Sequence, residues 1–223
     1  MYLSHDDPSD IVLESHGQGD MQILTEIAHW LRSFLTHAHP DLGRKGAVCP
    51  FMEQSLKLGR TALSSVDISG PRGTGRLATT ARSALARLGD RSAPDSVYNA
   101  FVMVPVGASA EVRRERILEV QQELKAEAVE AGKMVGEFYP GHPMPGIHSE
   151  TFRPLVSPHP VLAVRAMVVT DILFLTFPAI PAEERLAYLR VWHGLFGEGT
   201  AGPWGRIYET ARAEAEREAS EYA

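Results

Sequence analysis

Cys49, the sole cysteine of the chain, stands in Gly46-Ala47-Val48-Cys49-Pro50-Phe51, where a Gly-rich turn gives way to an amphipathic run. A thiol in that setting is a candidate metal ligand or nucleophile. Pro50 suits a first helical position, because the N–H it lacks would be unpaired there anyway, so Cys49 is expected to cap a helix over Phe51 to Leu58. The free N–H groups at such a helix start, with Arg44 and Lys45 close in sequence, would support the thiolate, which is the form that binds metals and attacks electrophiles. The competing reading, of equal weight, is a small buried hydrophobe, since cysteine is among the most commonly buried residues.

A second chemical segment runs from Tyr139 to Pro160 and holds six prolines and three histidines. It can be neither a helix nor a central strand, and an irregular connection of this length in a compact domain usually carries function. His142 and His148 are presented there on a Pro/Gly frame and are the candidate catalytic groups. His29 and His193, each beside a tryptophan, read instead as helix-surface or satisfied core residues.

Three chemistries use these parts. A mononuclear metal would need Cys49 with His39, His142 and His148 gathered from distant loops, since no CxxC or HxxxH spacing exists. Nucleophilic catalysis would pair Cys49 with His39 or His148 as base. A haem site would take Cys49 as axial ligand, with His39 or His148 as alternatives. Phe51, Phe138, Phe152 and Ile147 would line the ring, and Arg153 and Arg165 would pair with the propionates. The structural alternative for Arg153 and Arg165 is an ion pair with Asp171 or Glu137.

Two motifs carry a resemblance. His39 to Phe51 reads His-Pro-x-Leu-Gly-Arg-x-Gly-x-Val-Cys-Pro-Phe, and Tyr139 to Leu155 reads Tyr-Pro-Gly-His-x-x-Pro-Gly-Ile-His followed by Phe-Arg-Pro-Leu. In both, the chain resembles an uncharacterised bacterial domain family, over most of its length after Met21. The layout of an early Cys-Pro loop and a late Gly-x-His and Arg series also looks like that of the YqcI/YcgG family, which includes haem-dependent N-hydroxylases of guanidino and amino compounds. That resemblance implies a haem-dependent oxidative enzyme, an N-oxygenase acting on an amino or guanidino small molecule in a biosynthetic pathway, with His142 or His148 in the distal pocket. The alternatives are a cofactor-free small-molecule binding or interaction module and a Cys/His nucleophilic enzyme.

The elements that must position these loops can be read from periodicity. From Met21 to His37 the apolar residues Ile23, Leu24, Ile27, Trp30, Leu31, Phe34 and Leu35 recur at helical spacing, with Asp20 as N-cap. Strands are expected at Thr61 to Ile68, Tyr98 to Val106, Met134 to Tyr139, Val161 to Val169 and Ile172 to Thr176. Helices are expected at Leu77 to Leu88, Glu111 to Ala131, Ala182 to Phe196 and Trp204 to Ala219. The order gives an α+β fold, a single domain over 21–223 with one mixed sheet covered by helices, behind a polar tail over 1–20 in which Ile11-Val12-Leu13 could pack. The Gly-rich stretch Ser69 to Gly75 matches neither a Walker loop nor a dinucleotide fingerprint.

Composition bounds the partners. A 223-residue chain with 44% hydrophobic and 22% charged residues is of ordinary globular make-up. A net charge of -6 and a pI near 5.8, with no basic stripe, argue against a nucleic-acid binder. One cysteine makes no internal disulfide, and the N-terminus lacks the features of a signal peptide, so a cytoplasmic location is expected. Arg165 and Asp171 interrupt the most apolar stretch, Val161 to Ile180, and no membrane role is indicated. The expected partner is a small-molecule substrate, and a homodimer is left open.

Overall fold

The alternation in Thr61-Ala62-Leu63-Ser64-Ser65-Val66-Asp67 buries Thr61, Leu63 and Ser65 on one face of a strand, the period-two signature of a sheet. In the computed structural model, which describes residues 11–14, 20–89, 95–197 and 202–221, this segment is β2 (Thr61–Asp67). It pairs in parallel with β1 (Ile11–Glu14) and with β3 (Ala100–Val106). β5 (Val161–Ala166) runs antiparallel to β3, with Met103 opposite Leu162. With β4 (Lys133–Phe138) the sheet order is β1-β2-β3-β5-β4. The fold is α+β with one mixed sheet, as the element order predicts. Ile11–Glu14, within the stretch read as a polar tail, forms the edge strand β1.

The helices are α1 (Asp20–Trp30), α2 (Met52–Lys57), α3 (Gly73–Arg87), α4 (Ala110–Glu130), α5 (Ile172–Leu175), α6 (Ala182–Phe196) and α7 (Pro203–Glu221). The residues group into two compact units, one reaching Leu124 and including Val135–Ala166, the other holding Lys125–Met134 and Met167 onward. In the first, Leu24, Ile27, Ala28, Trp30, Leu31 and Leu35 pack with Leu63, Val102, Val104 and Val161 of the sheet. Burying each such leucine, isoleucine or valine side chain stabilises by about 1.5–3 kcal/mol. Some polar side chains inside this unit pair with each other: the Ser65 hydroxyl donates to Asp20 at 2.9 Å, and the Ser55 and Thr61 hydroxyls lie 2.7 Å apart. In the second unit Met167, Ile172, Leu175, Tyr188, Leu189, Trp192 and Tyr208 form the core.

Three expectations are corrected. The apolar stretch after Val161 is one strand followed by a helix, because Ile172 and Leu175, three apart, are both wholly buried. A four-residue apolar run does not distinguish strand from helix by pattern alone. The first helix does not run to His37 in α form. It passes into a π turn at Leu31–Leu35, where the Ser33 and Thr36 hydroxyls donate to the carbonyls of His29 and Arg32 and compete with the backbone ladder. Cys49 does not cap α2: that helix starts at Met52, and Cys49-Pro50-Phe51 form the turn before it.

Candidate functional site

The π turn prepares the floor of the site. The carbonyls of Leu35 and His37, at and just past its end, accept the N–H groups of Cys49 (2.8 Å) and Val48 (2.9 Å), which ties the first loop to the end of the helix. An antiparallel bridge joins Ala38 to Ala47, and Arg44 donates to the carbonyls of Lys45 and Val48. The second loop is also internally pinned. Gly146 donates to the Phe152 carbonyl at 2.9 Å, Phe152 to the Ser149 hydroxyl at 3.2 Å, and the Arg153 guanidinium to the carbonyls of Glu150 and Phe152.

The two loops meet. Gly43 has φ +74°, and a Cβ placed on it would lie 1.9 Å from the His148 carbonyl oxygen, so only glycine fits this approach. The His39 ring lies 4.6 Å from the ring of Phe152. From there the aromatic side chains continue inward: Phe152 lies 6.0 Å from Phe34, Phe34 stacks on Trp30 at 6.2 Å, and Trp30 meets Phe138 edge-on at 5.5 Å. Cys49 and Phe138 pack, partly buried, against the core cluster that contains Trp30. The indole Nε1–H of Trp30 is buried and has no hydrogen-bond acceptor among the described residues. A buried donor in that condition costs about 1–3 kcal/mol.

One helical turn before Trp30, on the same face of α1, is Glu26. Its Oε2 lies 2.5 Å from Nε2 of His159, 133 residues away in sequence. The hydrogen bond from His159, then that from Gln22, holds the Glu26 carboxyl below its usual range. Glu26 is therefore the ionised partner that orients the imidazole.

His39 and His142 are built alike. In each, Nδ1 accepts the backbone N–H two residues on, from Asp41 and from Met144, both at 3.2 Å. A neutral ring so engaged carries its proton on Nε2. His142 is buried, 4.4 Å from the Tyr139 ring, with Nε2 3.7 Å from Glu137. Burial pushes its pKa below the ordinary imidazole value.

The residues expected from sequence are partly gathered here. Cys49, Phe138, Phe152 and His39 lie on or beside the aromatic series. His148 is exposed and meets the first loop through its backbone, and Ile147 beside it is also exposed. Phe51 faces Tyr98 at 6.4 Å, and Arg165 donates to the Ala166 carbonyl at 2.9 Å. Sequence reasoning did not single out Trp30, Phe34, Glu26 and His159 as site residues. The available signals were the i, i+4, i+8 series Glu26, Trp30, Phe34 and the threefold recurrence of His-Pro at His39, His142 and His159.

A family model described as a domain of unknown function, DUF6875, matches residues 24–199. The chain belongs to that family. The DUF6875 span takes in both loops and every site residue named above, from Glu26 to His159. No curated protein and no solved structure matches the chain. Among the described residues of this DUF6875 member, no group of three His, Cys, Asp or Glu side chains is placed to hold a metal ion, and no helix is long and apolar enough to cross a membrane.

Proposed function

We propose that the aromatic series between α1 and the two loops binds a small, flat, largely apolar molecule that carries a hydrogen-bond acceptor. The observation that carries this reading is the Trp30 Nε1–H, buried among aromatic rings without a partner. A ligand carbonyl or carboxylate oxygen supplies the acceptor that no described residue provides. The His39 ring, with its proton on Nε2, offers a second donor at the half-buried edge of the site. The Glu26–His159 hydrogen-bonded pair stands one turn from Trp30, at the edge of this site. The direct test is calorimetric titration with 2-naphthoate as probe. Wild type binds, and Trp30→Phe, which keeps a ring but removes the donor, weakens binding about tenfold, the scale of one lost hydrogen bond. Equal affinity in the two proteins would sink the reading.

The second reading is the haem-dependent N-oxygenase implied by the YqcI/YcgG resemblance. It is favoured by the packing of Cys49 and Phe138 on one cluster. The remaining residues named for haem do not fit as one set. Phe51 packs on Tyr98, and the Arg153 guanidinium is turned to carbonyls of its own loop, so no step is assigned through the group. An absorption spectrum of protein expressed with iron and a haem precursor separates the readings. A Soret band altered by Cys49→Ala would favour haem over the cofactor-free site.

A further inference from the structure

The second unit carries a groove of about 560 Å³ between α6 and α7. The helices run antiparallel, since Tyr208 near the start of α7 stacks on Trp192 near the end of α6, while Glu218 near the end of α7 pairs with Arg185 near the start of α6. The floor of the groove is apolar, made by Leu186, Leu189 and Tyr208. Its two charged walls differ. On α7, Arg212 is satisfied locally, 3.2 Å from Glu209 and 3.7 Å from Glu216, with its guanidinium over the Tyr208 ring. On α6, Glu183 and Arg190 line the same groove and are exposed, and neither has an ion-pair partner among the described residues.

Glu183, Leu186 and Arg190 stand at i, i+3 and i+7, so they share one face of α6, with the two opposite charges two turns apart around a central leucine. This pattern is complementary to its own reverse. We propose that a second copy of this chain docks here, α6 against α6 in antiparallel order about a twofold axis near Leu186. In that arrangement Glu183 meets the partner's Arg190, Arg190 meets the partner's Glu183, and the leucines face each other. The contact is isologous, so it closes as a dimer, and the two helix pairs together form a four-helix arrangement. The half-exposed Leu186 supplies the apolar contact at the centre, Leu189 and Tyr208 being already buried beneath it. The two ion pairs, weak by themselves at an exposed rim, select the antiparallel order and the register.

The test is the association state of the full chain, by sedimentation velocity over a micromolar to submillimolar range. Wild type dimerises. Glu183→Arg and Arg190→Glu each set like charges against each other twice and weaken the dimer at least about tenfold, and the double reversal restores it. Circular dichroism melts confirm that each variant is folded. Independently, Leu186→Cys in a Cys49→Ser background forms an intermolecular disulfide on mild oxidation. A wild-type chain that stays monomeric, a dimer indifferent to the single reversals, a double variant that is not rescued, or a failure to cross-link each overturns the proposal.

Discussion

His39-Pro40-Asp41 and His142-Pro143-Met144 are the same local device placed in two surroundings. Each proline is followed by a residue whose N–H returns to the histidine Nδ1 at 3.2 Å, and each imidazole lies against an aromatic ring, at 4.6 and 4.4 Å. The side chain of His39 is 37% exposed and that of His142 4%. Local sequence thus fixes the tautomer in both, while packing decides what the ring is for. His39 keeps a donor at an open edge of the aromatic site. His142 is sealed beneath Tyr139, where its work is to hold the second loop.

The junction that keeps these two regions together should show the largest effect when broken. Gly43→Ala places a Cβ against the His148 carbonyl in a left-handed backbone position and is expected to cost about 3 kcal/mol in urea denaturation. Gly46→Ala is the control. It shares the positive φ but meets only the tip of the Arg44 side chain, so it should cost about 1 kcal/mol. Similar losses at the two glycines would mean that backbone conformation alone, and not contact between the loops, sets the cost.

The next prediction separates the two histidines. His142→Ala should lose about 2–3 kcal/mol of stability, whereas His39→Ala should lose under about 1 kcal/mol and act on 2-naphthoate binding instead. The pH dependence follows the same division. An unfolded histidine titrates near 6.5, and folded His142 titrates lower because burial disfavours its charged form. Below 6.5 the unfolded chain takes up a proton that the folded chain does not. Stability therefore falls as the pH drops from 6.5 through the folded pKa and levels off beneath it. Glu137 faces the ring at 3.7 Å and Arg114 lies over Tyr139, so the comparison is best made against His142→Ala, in which this part of the slope should vanish. An unchanged slope would remove His142 as its source.

The smallest effect is expected at the third His-Pro. His159→Phe removes the hydrogen bond that lowers the Glu26 pKa, and carbon-13 NMR titration should show the Glu26 midpoint rising toward 4.5 with little change in stability. No movement of that midpoint would mean that the pair does not persist in solution.

Much of the framework was legible in the sequence. Alternation marked β2, and the spacing of Leu24, Ile27, Leu31 and Leu35 marked the first helix, because both patterns are imposed by burial of one face. Local competition hid other parts. The Gly-rich start of α3 disguised four helical residues before Leu77, and the hydroxyls of Ser33 and Thr36 converted the end of a helix into a π turn. The site was legible only in halves. Both loops stood out by proline and glycine, yet nothing in either states that Gly43 must touch His148 or that Glu26 must meet His159. Trp30 looked like one more apolar position in a helical stripe, since nothing in the sequence shows that its buried Nε1–H lacks an acceptor among the described residues.

The separation between Glu26 and His159 bears on how the molecule comes into being. The pair joins an early helix to a residue two positions before β5, so the closed loop spans most of the first unit and its ordering entropy must be met before the contact forms. Synthesis reaches His159 long after α1 has emerged. A nascent or truncated chain that stops short of Phe138 has Trp30 and Phe34 but lacks the second half of the site. Competence to bind therefore arrives late in folding, which makes ligand binding a reporter of completed assembly of this unit.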